Sequence, residues 1–177
     1  HVYASEEGVG LWRFNADPEA DVSAAIVDAP RLGHIEEESG GVTIYDGGGK
    51  QWLIAADTSA GRVNVYDRAN QNVFLGAFKV AAPGSPEAIK EPGPLFATGG
   101  ATGSSFPHGL LLVTDEDGSN YKALSMEDIA TALKLGIGGT AAGTNSTKSA
   151  STKSVPAKSK VAVVTALYET APANSYG

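Results

Sequence analysis

The amino-acid sequence predicts an all-β chain, and three observations carry that reading. The 22 glycines and nine prolines in 177 residues favour many turns over long helices. Residues 41–80 hold four apolar, β-rich runs, at 42–45, 51–56, 62–66 and 73–80, with Gly- or Asn-rich turn chemistry in each gap. A pattern of apolar strand, small residue, polar turn and strand recurs around Ala4, Ala56 and Thr114, spaced 52 and 58 positions apart. A four-stranded meander of about forty residues is the size of one β-propeller blade, and the spacing is near that of blade repeats. The expectation is a partial β-propeller of about three four-stranded antiparallel blades, with a short helix and a flexible C-terminal tail.

Each element has its own local argument. Residues 2–5 and 9–14 flank Glu6-Glu7-Gly8, which reads as strand, acidic turn, strand, stopped by Asn15-Ala16-Asp17-Pro18. Residues 24–27 form a further short strand. Residues 34–41 are polar, and Glu36-Glu37-Glu38 is a like-charge run that resists burial unless a cation neutralises it. In the central blade, Arg62-Val63-Asn64-Val65-Tyr66 alternates polar with apolar, as a half-buried strand does. Residues 81–105 are rich in Pro, Gly, Ala, Ser and Thr without periodicity, and read as a long connection between blades. The run 109–114 (GLLLVT) is a buried type of strand, Asp115-Glu116-Asp117-Gly118 an acidic turn, and 120–124 a returning strand. Ser125-Met126-Glu127-Asp128 fits a capping box opening a helix over 126–133.

From Thr140 the composition shifts to Ala, Gly, Ser, Thr and Lys. The expected organisation is therefore a folded unit over 1–139 and a linker or tail over 140–177. One strand-like run, 161–168, either returns to the folded part or continues into further sequence. Residues 1–140 carry 9 basic and 19 acidic side chains, and 141–177 carry 4 and 1, so an acidic body bears a mildly basic tail. A net charge of −7 argues against nucleic acid as a partner. The absence of cysteine excludes disulfides and thiolate metal sites, and no run of eighteen apolar residues predicts a membrane span. The start at His1, without a signal-peptide pattern, leads to the expectation of a processed chain or a piece of a longer one. Asn145-Ser146-Thr147 fits a glycosylation acceptor, which has meaning only in a secreted chain.

A family resemblance rests on an ordered set of strings. Tyr3-Ala4-Ser5-Glu6-Glu7 with Leu11-Trp12-Arg13-Phe14, then Val42-Thr43-Ile44-Tyr45, Val65-Tyr66-Asp67-Arg68, Phe106-Pro107-His108-Gly109 and Asn120-Tyr121-Lys122 with Met126-Glu127-Asp128-Ile129-Ala130 resemble the C-terminal half of β-propeller phytases. The similarity runs from His1 to about Leu135. It implies a six-bladed propeller, calcium-dependent release of phosphate from phytate, and an extracellular location. A ring of that size needs more than three blades, and either further blades or a second copy of this chain is the expected partner that completes it.

What such a site needs is clear chemically. Phytate is a polyanion that bare carboxylates repel, whereas calcium takes six to eight oxygen ligands and inverts the local charge. By position, the resemblance makes Glu7, Glu38, Asp115 and Asp117 the candidate calcium ligands. Two departures stand against a complete set. Gly40 stands where the family carries a second carboxylate, and Ala81-Ala82-Pro83-Gly84-Ser85-Pro86 replaces an aspartate-rich loop. The alternative reading is a non-catalytic propeller, a binding or scaffold domain that has lost its metal loops. Without the resemblance, the same acids read as solvated turn residues. His34 and His108 have no partner at zinc-site spacing. Gly47-Gly48-Gly49-Lys50 lies between strands with no helix after it, and is a hairpin turn rather than a phosphate loop.

Overall fold

The computed structural model describes residues 1–21, 23–82, 88–138, 162–165 and 168–170. Their strands form three sheets. The first is an antiparallel meander of β1 (Val2–Glu6), β2 (Gly10–Phe14) and β3 (Ala24–Asp28). The second holds β4 (Ser39–Gly47), β5 (Lys50–Asp57), β6 (Arg62–Asp67) and β7 (Val73–Ala81) in sequence order, the expected four-stranded blade. The third joins β8 (Pro92–Thr98), β9 (Leu110–Asp115) and β10 (Asn120–Ser125). The all-β reading with about three blades agrees with this arrangement.

Local chemistry accounts for the turns. The β4–β5 hairpin closes on Gly48 and Gly49, with φ of 55° and 72°. Two successive positive φ values are what a tight two-residue hairpin requires, and glycine meets them without steric cost. Helix α1 (Met126–Ala132) starts where expected: the Ser125 hydroxyl accepts the Glu127 amide at 3.2 Å, and Glu127 and Asp128 fill the first turn. Its Met126, Ile129 and Ala130 are buried against the core.

The middle sheet lies between the other two, so both of its faces are covered. Leu53, Ala55 and Tyr66 pack with Leu11 and Ile35 on the first-sheet side. Trp52, Ile54, Val63 and Val65 pack with Leu111, Val113, Phe78 and Ile129 on the third-sheet side. This corrects the half-buried reading of β6: Asn64, expected at the surface by alternation, is fully buried. Its side-chain amide donates to the His34 carbonyl at 3.1 Å and to the Tyr66 hydroxyl at 3.3 Å.

One further reading is corrected, and one that the sequence left open is settled. The expected connection over 81–105 contains strand β8, which pairs antiparallel with β9. Its prolines hid it: Pro92 opens the strand and Pro94 lies within a register shift between Pro92 and Leu95, a place where a strand tolerates a missing amide donor. The run at 161–168 is resolved in favour of return to the fold. β11 (Ala162–Thr165) pairs parallel with β7, and β12 (Tyr168–Thr170) pairs antiparallel with β10. These two short strands cap the outer edges of neighbouring sheets, and Val164 is buried with Phe78 and Val80. The Ser/Thr/Lys-rich stretch 140–161, with Asn145, lies outside the described residues.

Candidate active-site rim

Antiparallel pairing sends alternate turns to opposite ends of a sheet. The β1–β2, β5–β6 and β9–β10 turns, with the segments entering β4 and β8, therefore gather along one rim. Polar contacts join them in series. The Ser5 hydroxyl meets the Ser39 carbonyl at 2.9 Å and the Ser39 hydroxyl at 2.6 Å. The Thr58 amide donates to the Glu38 carbonyl at 3.1 Å, and the Ser59 hydroxyl accepts the Glu37 and Glu38 amides. The Thr58 hydroxyl donates to the Pro92 carbonyl at 3.0 Å, and the Glu116 amide to the Glu91 carbonyl at 3.2 Å. One path of hydrogen bonds thus crosses all three sheets.

The rim is acidic. Glu6, Glu7, Glu36, Glu37, Glu38, Glu91, Glu116 and Asp117 are all exposed along it. The expected ligands fall there but in different states. Glu7 sits in the β1–β2 turn, Glu38 just before β4 and Asp117 in the β9–β10 turn, each open to solvent. Asp115 is buried at the end of β9, where Lys122 Nζ lies 3.2 Å from Oδ2 and the Gly118 amide donates to Oδ1 at 3.2 Å. Among the described residues, no three Asp, Glu or His side chains converge closely enough to hold a metal ion. A calcium shell is therefore not assembled from these four carboxylates alone. A Cβ at Gly40 would lie 2.4 Å from the Thr58 hydroxyl, so a side chain there would have to displace that hydroxyl from the Pro92 carbonyl.

A polar network behind the rim was not read from the sequence. Asp28 is buried at the end of β3, and its Oδ2 accepts the Tyr66 hydroxyl at 2.7 Å and faces His34 Nδ1 at 3.2 Å. Its Oδ1 accepts the amides of Ala29 and His34, both at 2.8 Å. Burial, then the Asp28 charge, pushes the Tyr66 phenol far above its ordinary range, so it stays a neutral donor. Arg62 donates to the Asp57 carboxylate at 2.9 Å and to the His34 carbonyl at 2.7 Å. The available signal was positional: Asp57 occupies the same turn position as Asp115, and Arg62 is its direct cross-strand partner.

Burial pushes the Asp57 carboxyl above its ordinary 3.8, and the Glu36 amide and Arg62 offset only part of that. A carboxyl that binds its proton more tightly folded than unfolded adds stability as pH falls through the folded value, and the gain levels off below the unfolded one. Asp57→Asn removes this gain. Between about pH 6 and about pH 4, the urea midpoint of the wild type is expected to fall less than that of the variant.

At the opposite end of the middle sheet, a cavity of about 490 Å³ is lined by Asp46, Lys50, Trp52, Asp67, Leu75 and Leu135 among others. Its acids are engaged locally: Asp46 accepts from the Gln51 side chain at 3.1 Å, and Asp67 from the Ala69 amide at 3.0 Å. The rim, with its row of open carboxylates, is the stronger candidate.

Comparison with known proteins agrees with the resemblance. A profile of the family described as Phytase matches residues 1–136. The chain is 25% identical over 139 residues to a 3-phytase of Bacillus subtilis (strain 168), an alignment covering 73% of this chain and 36% of that relative. The chain thus spans little more than a third of the length of this curated relative. With the family profile covering most of its length, the three-sheet chain belongs to the phytase family.

Proposed function

We propose that this chain forms part of the wall of a phytase-family propeller, and that the protein it serves releases phosphate from phytate-like polyanions outside the cell. The family match over residues 1–136, whose acidic turns gather on one rim, carries this reading. Residues 1–139 are taken as the family unit, and 140–177 as an appendage whose short strands dock on its sheet edges. Among the described residues, no helix is long and apolar enough to cross a membrane.

Calcium is the proposed cofactor, since a row of bare carboxylates repels a polyphosphate and a bound divalent cation reverses that field. Glu7, Glu38 and Asp117 are the exposed carboxylates offered to it, with further ligands supplied by other groups of the complete propeller. Asp115, the fourth of the expected set, already has a cationic partner. That observation favours a second reading, a propeller that binds without catalysis. Assay of phosphate release from phytate, by the protein as its source makes it, with calcium and with chelator, separates the two. Release that chelator abolishes is the expected result. Intact, folded protein that releases no phosphate under either condition sinks the catalytic reading.

A further inference from the structure

Two buried aspartates stand at equivalent places in neighbouring sheets. Asp57 ends β5 and Asp115 ends β9, each at the mouth of its hairpin turn on the acidic rim. Each is met by a cation from the strand it pairs with. Arg62 lies 2.8 Å from Asp57 Oδ2, and Lys122 lies 3.2 Å from Asp115 Oδ2. The second oxygen of each carboxylate is also taken: Asp57 Oδ1 accepts the Glu36 amide and Asp115 Oδ1 the Gly118 amide, both at 3.2 Å. The Lys122 ammonium is 2% exposed and also donates to the Asn120 side chain, so it is a built part of the interior.

The geometry points to Arg62 and Lys122 as resident counter-ions of Asp57 and Asp115, which closes these two buried acids to calcium. A calcium ion needs several oxygens at short range, and here a fixed positive charge stands within hydrogen-bond distance of each carboxylate. Displacing Lys122 would strand a desolvated ammonium, which is more costly than leaving the pair intact. Nature's requirement for charge balance is met inside the chain, at both turns, by the same device. The inference goes beyond the proposed activity and does not depend on it, because it concerns which carboxylates of this chain can take a cation.

Thermal unfolding and calorimetric titration of the protein as its source makes it, with calcium chloride as the probe and chelator as the blank, test it. The wild type and the charge-neutral double variant Asp115→Asn/Lys122→Gln are expected to respond to calcium identically. Lys122→Gln alone, which leaves Asp115 buried without its counter-ion, is expected to unfold at a lower temperature in chelator than both the wild type and the double variant. Arg62→Gln makes the same test at Asp57 should Lys122→Gln fail to fold. A wild-type calcium response that the double variant abolishes overturns the inference. So does a folded single variant that unfolds at the same temperature as the wild type. Phosphate release is not read, so failure here is distinguishable from failure of the phytase reading.

Discussion

Gly99→Ala is expected to destabilise the protein by about 3 kcal/mol, the upper end of ordinary overpacking costs. Gly99 follows β8, and a Cβ built there would lie 1.8 Å from the Asp46 carbonyl oxygen and 2.8 Å from Gly47 Cα. The reverse holds too, since a Cβ on Gly47 would lie 2.5 Å from Gly99 Cα. At this point the second and third sheets touch backbone to backbone, and no side chain can rotate away to make room. Separation would also pull on the neighbouring bond from the Tyr45 hydroxyl to the His108 carbonyl, 2.8 Å long. That phenol, pushed up to about 12 by burial and then by Asp46 and Glu127, is a neutral donor throughout the physiological range. In thermal unfolding the loss corresponds to about 10 °C for a chain of this size. Gly136→Ala, where a Cβ meets nothing within 4 Å, is the control and is expected to shift stability by no more than about 0.5 kcal/mol. Equal midpoints for the two variants would contradict the close approach.

Asp28→Ala has the larger expected cost, about 3–5 kcal/mol, because it removes one member of a buried, charged network and leaves its partners unpaired. The lost carboxylate holds the amides of Ala29 and His34, the His34 ring and the Tyr66 hydroxyl. Those contacts fix the segment that leads from β3 to Glu36, Glu37 and Glu38. The His34 carbonyl is gripped in addition by Arg62 and Asn64, and its ring stacks on Phe74 with centroids 3.7 Å apart. Amide hydrogen exchange should therefore quicken at His34 in Asp28→Ala, with protection kept in β5 and β6. Asp28→Asn, which keeps acceptor capacity for the two amides, is expected to lose about 1–2 kcal/mol. A stable Asp28→Ala variant with an unchanged exchange pattern would show that the segment is fixed by other means.

These two sites show what the sequence could and could not convey. The strands of the middle sheet were legible because each signal was local: apolar runs of strand length, with Gly-Gly where positive φ is needed. Gly47 and Gly99 were visible only as glycines, because what demands them is a neighbour 52 residues away. β8 was missed since its Pro92 and Pro94 imitate a loop, and only pairing with β9 reveals a strand. The half-buried pattern of β6 failed at Asn64 for a related reason: alternation reports one covered face, and the first sheet covers the other. At the rim, Glu7, Glu38 and Asp117 could be placed by turn chemistry and resemblance. The state of Asp115 could not, because Lys122 reaches it across a hairpin rather than along the chain. The same holds for Asp28, whose partner Tyr66 is 38 residues distant.

The acidic rim, and not the cavity at the other end of the sheets, is the working surface that we propose. The deciding measurement is phosphate release from phytate by the protein carrying Glu7→Gln, Glu38→Gln and Asp117→Asn. These three side chains are exposed, so the triple variant is expected to unfold within a few degrees of the wild type while losing at least about tenfold in activity. A folded triple variant with wild-type phosphate release would contradict the claim.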